Sequence, residues 1–479
     1  MRGHAERAEF EANLREQLES IYSAHRWVSV SEVIQGAVGG AGLLKGAGAT
    51  ETIAVSATGG VGDVDESVEA HSIGLTPSGS HMDNMRRGTA ALLDPPQGIL
   101  DAVDRFDPDG RARTFVDFTF GQGVYAGRPT FGARPPEWEE FEDKLLIEEV
   151  WQSAGIRTSP SEVVALSQPG AAVDAHERLG SAEGTVWAVD NDDGWHGGAH
   201  GTHWIRSIAE AEEAAANLTE LHRRVRIMPF VEGTPCSIHG MVVGDRTIAF
   251  RPMELMIYRN RAQAKLVYGK AASFWDPPVD DRNEMRAAAC AIGDELRRRV
   301  EYRGVFTVDG VLGAEGFVPT EVNTRFGGAL PSGIGSLDGP PIHLFLIHTA
   351  IVEGVLAVDP IALEQWVLAD LDEHRRCYGM LQTANGPEAE KSARVFVEAS
   401  GAFTFDEAEQ DNSEPTDDDL EPLAHLTWGA RGEEGLFFLR GTDKVPTGPP
   451  SAPLVLQIAQ LADDVWNIGL ESLEPARPV

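Results

Sequence analysis

Positive charge and cysteine are both scarce in this sequence of 479 residues. Lysine and arginine number 40 against 75 acidic residues, which gives a formal net charge of −35. A field of this sign repels nucleic-acid phosphates and anionic lipid, so we expect neither as the main partner. The three cysteines, Cys236, Cys290 and Cys377, are widely spaced, which argues against a disulfide framework or a zinc ribbon.

Long apolar runs are also lacking. The most apolar stretch, residues 342–358, is interrupted by His343, His348 and Glu353. Its uninterrupted runs are far below the ~20 residues that a membrane-spanning helix needs. The charged segment from Arg2 to Arg15 contains no apolar region typical of a secretory signal. We therefore expect a cytoplasmic protein without a membrane partner.

The length and the 42% share of hydrophobic residues predict a globular chain of two or three domains. We expect an α/β (α+β) fold: an N-terminal open α/β domain at residues 1–140, a middle domain at 141–345 and a small C-terminal α+β domain at 346–479. In the first domain the sequence predicts a helix near residues 10–22, a glycine-rich connection at 36–48, a strand at 52–57, a helix at 83–103 and a strand at 114–120.

Helix and strand patterns continue beyond residue 141. Helices are predicted at residues 143–154, 208–221, 284–300 and 454–465, with two more between 342 and 374. Strands are predicted at 225–231, 237–243, 247–250, 305–312, 318–323, 394–397 and 435–439. The acidic stretch 406–421 is typical of a solvated loop.

A row of polar residues follows two of these predicted strands. Residues two apart on a strand point to the same face, so Glu321, Asn323 and Arg325 share one face, and a short hairpin would bring Asp309 beside Glu321. Two carboxylates and an amide oxygen suit Mg²⁺, which takes few protein oxygens together with phosphate oxygens. The planar guanidinium of Arg325 suits a carboxylate or a transferring phosphoryl group. The alternative is a hairpin with solvent-facing polar residues and a surface ion pair.

These residues resemble the metal-binding signature of the ATP-grasp enzymes. The pattern G-x-F-x-V-D ends at Asp309, and E-x-N-x-R begins twelve residues later at Glu321. The resemblance extends over about residues 142–330. The pair Asp143-Lys144, before a predicted helix, resembles the entry into the family's nucleotide domain, and the segment Met228-Pro-Phe-Val-Glu-Gly resembles its adenine-carrying linker.

The resemblance implies an ATP-grasp fold for residues 141–345 and a site for ATP and Mg²⁺. It implies that magnesium is held by Asp309, Glu321 and Asn323, and that Arg325 contacts the reacting carboxyl or phosphate. It further implies that Lys144 reaches the ATP phosphates, while main-chain atoms of Met228 and Val231 contact adenine.

Two family features are missing. The strand beginning at Thr185 has no lysine, and Pro235 and Cys236 stand where many members keep an acid for the ribose. A cationic segment offers a substitute for the lysine, with Arg259 and Lys265 as candidate cofactor-binding residues; its members are Arg251, Arg259, Arg261, Lys265 and Lys270. The alternative for this segment is a charge-balancing surface loop.

The glycine-rich segment 190–204 predicts a flap whose backbone amides approach phosphate closely. A zinc site formed by His196, His200 and His203 is an alternative, although the glycines between Gly194 and Gly201 weaken the helix that such spacing needs. An inert loop is the third option.

The resemblance implies an ATP- and Mg²⁺-dependent ligase that joins a carboxylate to an amine through an acyl-phosphate. We expect small-molecule partners, with an amino acid or peptide as the acid, and we consider a homodimer as the assembly. Two alternatives stay open. The missing lysine favours a catalytically degenerate nucleotide-binding relative, and the N-terminal glycines favour an unrelated α/β enzyme that depends on a dinucleotide.

Overall fold

The computed structural model describes residues 3–59, 64–76, 81–117, 120–191, 201–337, 339–398, 400–407, 421–431 and 434–478. No helix in these ranges combines the length and apolarity needed to cross a membrane.

The N-terminal part is an open sheet flanked by helices. Its elements are α1 His4–Tyr22, β1 Trp27–Val33, α2 Ile34–Gly46, β2 Thr52–Thr58, β3 Glu69–Ser72, α3 His81–Leu93, α4 Gln97–Phe106, β4 Arg113–Val116, β5 Val124–Tyr125 and β6 Arg128–Phe131. The strand order is β3-β2-β1-β4-β6-β5. Four neighbouring pairs are parallel: β3 with β2, β2 with β1, β1 with β4, and β4 with β6. Pro95 and Pro96 separate α3 from α4 where we predicted one helix, because proline interrupts helical hydrogen bonding.

The predicted connection at residues 36–48 is wrong, since most of it lies in helix α2. The buried residues of this helix recur at helical spacing: Ile34, Ala37, Val38, Ala41 and Leu44. Glycine serves close packing here, because a Cβ on Gly40 would lie 2.5 Å from Ser29 Oγ of β1. The apolar spacing therefore outweighs the glycine content, and the helix packs tightly against the sheet.

A small antiparallel sheet follows. The elements of this region are α5 Pro136–Glu139, a 3-10 helix Glu140–Glu142, α6 Ile147–Ser153, β7 Glu162–Ala165, α7 Pro169–Leu179, β8 Thr185–Val189, β9 Thr202–Ile205, α8 Ile208–Leu218 and β10 Arg224–Pro229. The strand order is β7-β10-β8-β9. Helix α6 begins later than predicted because the Asp143 carboxylate accepts a hydrogen bond from the Leu145 N–H at 2.8 Å, which favours a turn.

The remaining elements build one large sheet and its helices. They are β11 Thr234–Val243, β12 Arg246–Ala249, β13 Met253–Asn260, β14 Lys265–Ala272, α9 Val279–Val300, β15 Gly304–Gly313, β16 Gly316–Asn323, β17 Gly333–Ile334, β18 Ile342–His343, α10 Leu344–Val352, α11 Pro360–Glu373, β19 Cys377–Thr383, β20 Lys391–Val397, β21 Phe403–Glu407, β22 Ala424–Arg431, β23 Glu434–Gly441, α12 Ala452–Trp466 and β24 Glu474–Pro475. Most of the acidic stretch 406–421 lies outside the described residues.

This large sheet has twelve strands in the order β16-β15-β11-β13-β14-β19-β23-β22-β20-β21, with β12 on β11 and β24 on β13. The surface-loop alternative for residues 251–270 is wrong, because most of the segment forms the β13–β14 hairpin in the sheet interior. Pairing of β14 with β19 joins the C-terminal strands to the central ones. Helix α9 covers one face with Met285, Ile292 and Leu296. The α/β (α+β) fold class is confirmed, while the domain bounds stay a prediction.

Candidate functional site

The β15–β16 hairpin brings the predicted polar residues together. Asp309 is paired directly with Glu321, and Thr307 with Asn323, with a bulge after Asp309. Burial alternates along the chain from residue 321 to 325: Val322 and Thr324 are buried, while the three polar residues between and beside them are partly exposed. The polar row therefore occupies one face of the hairpin, and its opposite face packs into the core under α9.

Hydrogen bonds connect this row. Asn323 Nδ2 donates to Asp309 Oδ2 at 2.9 Å, and a terminal nitrogen of Arg325 donates to Asn323 Oδ1 at 3.1 Å. Ser237, which pairs with Asp309 across β11 and β15, donates its hydroxyl to Asp309 Oδ1. Sequence reasoning missed Ser237, because its position depends on a pairing between strands far apart in the chain.

The two facing carboxylates differ in their electrostatic surroundings. Burial raises the pKa of Asp309 to about 7, and the neighbouring Glu321 carboxylate adds to this effect. Burial would also raise the pKa of Glu321, but the Lys144 ammonium lies 2.9 Å from its Oε2 and lowers that pKa overall. Opposite charge favours the ionised form of a carboxyl group, and like charge disfavours it. The pair therefore concentrates hard oxygen ligands, the chemistry that suits Mg²⁺.

Lys144 links the hairpin to the small sheet. Its Nζ lies 3.2 Å from Thr202 Oγ1 on β9, in addition to its contact with Glu321. The buried Arg226 of β10 donates to the carbonyls of Lys144 and Thr320, at 3.4 and 3.2 Å, and pairs with Glu148. Arg226 therefore positions the Lys144 backbone against β16. An arginine between Val225 and Ile227 in an apolar strand is the signal that could have identified it.

Arg325 is held from a second side. Its Nε lies 3.5 Å from Glu142 Oε1, and Arg134 Nη1 lies 2.5 Å from the same oxygen. The Glu142 side chain is only 4% exposed, so it is a fixed anchor for both guanidinium groups. The only sequence signal for a role of Glu142 is its position directly before Asp143-Lys144.

Residues 230–233 connect the small sheet to the large one. Met228 is buried in β10, and Val231 is partly buried in the connection. The guanidinium of Arg259 makes two hydrogen bonds to Glu232, at 2.8 and 2.5 Å, and lies 4.8 Å from the ring centroid of Phe230. The structure thus places Arg259 against this connection.

The other predicted cations have separate locations. Lys265 is exposed at the first residue of β14. Arg251 forms ion pairs with Asp276 and Asp372, and Arg261 with Glu183 and Glu474. The β15–β16 hairpin therefore does not gather Arg251, Arg261 or Lys265. The contact of Arg259 and Lys265 with a cofactor stays a prediction.

The predicted flap falls largely outside the described residues, and so do His196 and His200. Asp190 is buried and accepts hydrogen bonds from the backbone N–H groups of Arg223 and Arg224, at 3.0 and 2.6 Å, which is a structural role. Among the residues that the structure describes, no three histidine, cysteine or acidic side chains form a metal-holding group. The hairpin has two such acids, with the Asn323 amide as the third potential ligand.

The turn after the polar row requires glycine at one position. A Cβ on Gly327 would lie 2.4 Å from Thr307 Oγ1 and 2.8 Å from His239 Nε2, both of which belong to buried side chains. A Cβ on the adjacent Gly328 would meet nothing within 4 Å. The close approach at Gly327 explains why the segment after Arg325 lies tightly on the sheet.

Solved structures of low sequence identity share the fold, although no family model matches the sequence and no curated protein is significantly similar to it. One is the biotin carboxylase of Campylobacter jejuni in a β,γ-ATP complex, with 13% identity, coverage of 95% of this chain and 93% of that chain, and a TM-score of 0.54. Another is the biotin carboxylase domain of the 2-oxoglutarate carboxylase of Hydrogenobacter thermophilus, crystallised with MgADP, ADP and bicarbonate, with 16% identity, coverage of 94% and 91%, and a TM-score of 0.50. The carboxyaminoimidazole ribonucleotide synthase of Aspergillus clavatus with ATP has 12% identity, coverage of 93% and 99%, and a TM-score of 0.50.

Proposed function

We propose that this protein is an ATP- and Mg²⁺-dependent ligase that joins a carboxylate to an amine, because nearly the whole chain is structurally similar to solved ATP-grasp ligases. The observation that supports the proposal most directly is the β15–β16 hairpin. Its facing carboxylates, Asp309 and Glu321, lie between a lysine and an arginine that are each fixed by further contacts. Structures with this fold contain ATP, or ADP with magnesium.

In this proposal Asp309, Glu321 and Asn323 hold the divalent ion. The donor set fits, because two carboxylates and an amide oxygen are hard ligands and leave room for phosphate oxygens. The ion held there would neutralise the charge that develops on the transferring phosphoryl group. Lys144 would exchange its contact with Glu321 for a phosphate oxygen, which the 2.9 Å ion pair supports by keeping its ammonium group at the hairpin. The connection between the sheets, with main-chain atoms of Met228 and Val231, is the proposed adenine contact.

In this proposal the reaction proceeds in two steps through an acyl-phosphate. A carboxylate oxygen of the acid attacks the γ-phosphorus of ATP, the bond from that phosphorus to the β,γ-bridging oxygen breaks, and ADP leaves. The amine then attacks the acyl carbon, loses a proton and displaces inorganic phosphate. Arg325 holds the reacting carboxylate in line, because its planar fork matches a carboxylate and is itself fixed by Asn323 and Glu142.

The finer part of the proposal is an amino acid or peptide as the acid. The competing function is nucleotide binding without turnover, which is favoured by the absence of lysine from β8, Thr185–Val189. Lys144 argues for a competent site, because it brings a cation within 2.9 Å of Glu321.

The experiment is a screen of ADP and phosphate release with ATP, Mg²⁺ and panels of amino acids, peptides and amines. We expect equal amounts of ADP, phosphate and amide only when acid and amine are both present. ATP binding without ADP release for any pair would support the non-catalytic alternative. Tight NADH binding without ATP binding would support a dinucleotide enzyme and contradict the proposal.

A further inference from the structure

A cavity of about 510 Å³ lies between the turn after the polar row and the C-terminal strands. One wall is formed by residues 328–331, which follow Arg325 in the chain, and the others by residues of β13, β14, β19, β22 and β23. This volume falls in the range typical of small-molecule sites. The cavity lies at the seam where β14 pairs with β19.

Cations line this cavity, and no acidic residue is among the described residues that do so. The cations are Lys270, Arg376 and Arg440, and the imidazole of His425 lies among them. Arg376 is oriented by the Gly333 carbonyl and the buried Asp370 carboxylate, each at 3.2 Å. Burial, with the positive charge of nearby Arg440, lowers the pKa of His425. In a chain with a net charge of −35, such a local excess of positive charge favours an anion.

Lys270 reaches the cavity through an irregularity in its strand. The pairing of β13 and β14 shifts register opposite Gly269 and Lys270, and Lys270 has a φ of 82°. Residues other than glycine rarely adopt this conformation. A bulge redirects a side chain, and strained residues concentrate at ligand sites. Burial also lowers the pKa of Lys270, and no ion-pair partner for it occurs in the described part of the chain.

The cavity also has an aromatic component. Tyr378 of β19 and Phe438 of β23 both line it. These two residues are 48% and 42% exposed to solvent. The opposite face of the same strands is buried under α12, with Leu381 and Phe437 in that core. Exposed aromatic side chains beside cations form a surface that suits a ligand with an apolar portion and a negative charge.

Two segments connect the cavity wall to the polar row along the chain. Gly328 lies three residues after Arg325, and Lys270 lies two residues after Tyr268. Burial and the nearby Asp309 carboxylate raise the pKa of Tyr268, with Arg325 acting in the opposite direction. Strand β14 therefore runs from the neighbourhood of the two carboxylates to the cavity.

We propose that this cavity binds the acid substrate, and that this acid carries an apolar portion and a second anionic group away from its reacting carboxylate. The proposal rests on the function proposed above. Arg376, Lys270 and Arg440 bind the second anionic group, Tyr378 and Phe438 contact the apolar portion, and the reacting carboxylate extends toward Arg325. Carboxylate and phosphate are the two anionic groups that such cations recognise.

The test is calorimetric binding of three probes to the full chain without ATP. Benzylsuccinate carries a second carboxylate, the phosphate ester of phloretate carries a phosphate, and hydrocinnamate carries neither. We expect at least one of the first two to bind about tenfold or more tightly than hydrocinnamate, because a charge-assisted hydrogen bond is added. The tighter probe identifies the second anionic group.

Two variants make the test specific. Arg440→Gln alters an exposed side chain, and Arg376→Gln removes the oriented guanidinium. Both should abolish the preference for the doubly anionic probe, while Arg178→Gln, which alters a 56% exposed side chain on helix α7, should keep it. Equal binding of all three probes, binding of none, or a preference that survives in both cavity variants would overturn the proposal. Binding is measured without turnover, so a chain that binds these acids and never releases ADP contradicts the ligase and leaves the cavity site intact.

Discussion

The β15–β16 hairpin and the cavity beside it differ in the charged side chains that they bring together. On the hairpin two carboxylates face each other, and the two adjacent cations, Lys144 and Arg325, both contact fixed partners. In the cavity, cations converge without an acid among the described lining residues. Partly buried charge of one sign is costly unless something neutralises it. This difference is the basis of our proposal that the hairpin binds a divalent cation and the cavity binds an anion.

Replacing Glu321 by glutamine should have the largest effect, because it removes the carboxylate that faces Asp309. We expect ADP release to fall by at least ~10²-fold, the loss typical of a deleted charge-stabilising group. The variant should stay folded, as measured by circular dichroism and thermal unfolding. The matched control is Glu315→Gln at the tip of the same hairpin, where the side chain is 90% exposed, and it should keep full turnover. Equal turnover of the two variants would remove the assignment of Glu321.

Gly327 connects the two regions, and its replacement by alanine should weaken both. The added methyl would overlap Thr307 Oγ1 and His239 Nε2, and overpacking of this kind costs about 1–3 kcal/mol. We expect a lower free energy of unfolding in urea and a weaker acid-binding site. Gly328→Ala is the control for stability, since its Cβ would meet nothing within 4 Å. A Gly327→Ala protein as stable as the Gly328→Ala protein would show that the close approach is relaxed at no cost.

Glu254 differs from the hairpin carboxylates, because this buried carboxylate accepts hydrogen bonds from backbone groups and pairs with no cation among the residues that the structure describes. It accepts hydrogen bonds from the N–H groups of Ser451 and Ala452, at 2.5 and 3.0 Å, where α12 begins. Burial raises its pKa from 4.5 to about 7. Between these values the folded chain keeps a proton that the unfolded chain has released. The stabilising contribution of this proton is therefore complete below pH 4.5 and is lost as the pH rises to about 7. Above that pH the free energy of unfolding no longer depends on the titration of Glu254.

The expected loss is about 3 kcal/mol over this range, from ~1.4 kcal/mol per pKa unit. Urea unfolding between pH 5 and pH 8 measures it, and Glu254→Gln should lose less stability over the same interval because glutamine does not titrate. The overall negative charge affects both proteins alike, so the comparison isolates residue 254. Parallel curves for the two proteins would contradict the raised pKa.

The part of the site that could be predicted from the sequence is the polar row, because its residues lie close together in the chain. The spacing from Asp309 to Glu321 specifies a hairpin register, and alternation along β16 assigns Glu321 and Asn323 to one face. Ser237 and Arg226 were missed because strand pairings over long sequence distances place them. The β13–β14 hairpin was missed because charged residues obscured its strand pattern. Helix α2 is hard to predict because its glycines, which are typical of a connection, serve close packing against β1.

Magnesium-dependent nucleotide binding is the most direct test of the central claim, that Asp309, Glu321 and Asn323 hold a divalent ion beside ATP. ADP is titrated calorimetrically into the wild-type chain and into Glu321→Gln, with and without Mg²⁺. We predict that Mg²⁺ tightens ADP binding to the wild type by about tenfold or more and leaves the affinity of the variant unchanged. The same tightening in both proteins would place the metal elsewhere and contradict the account.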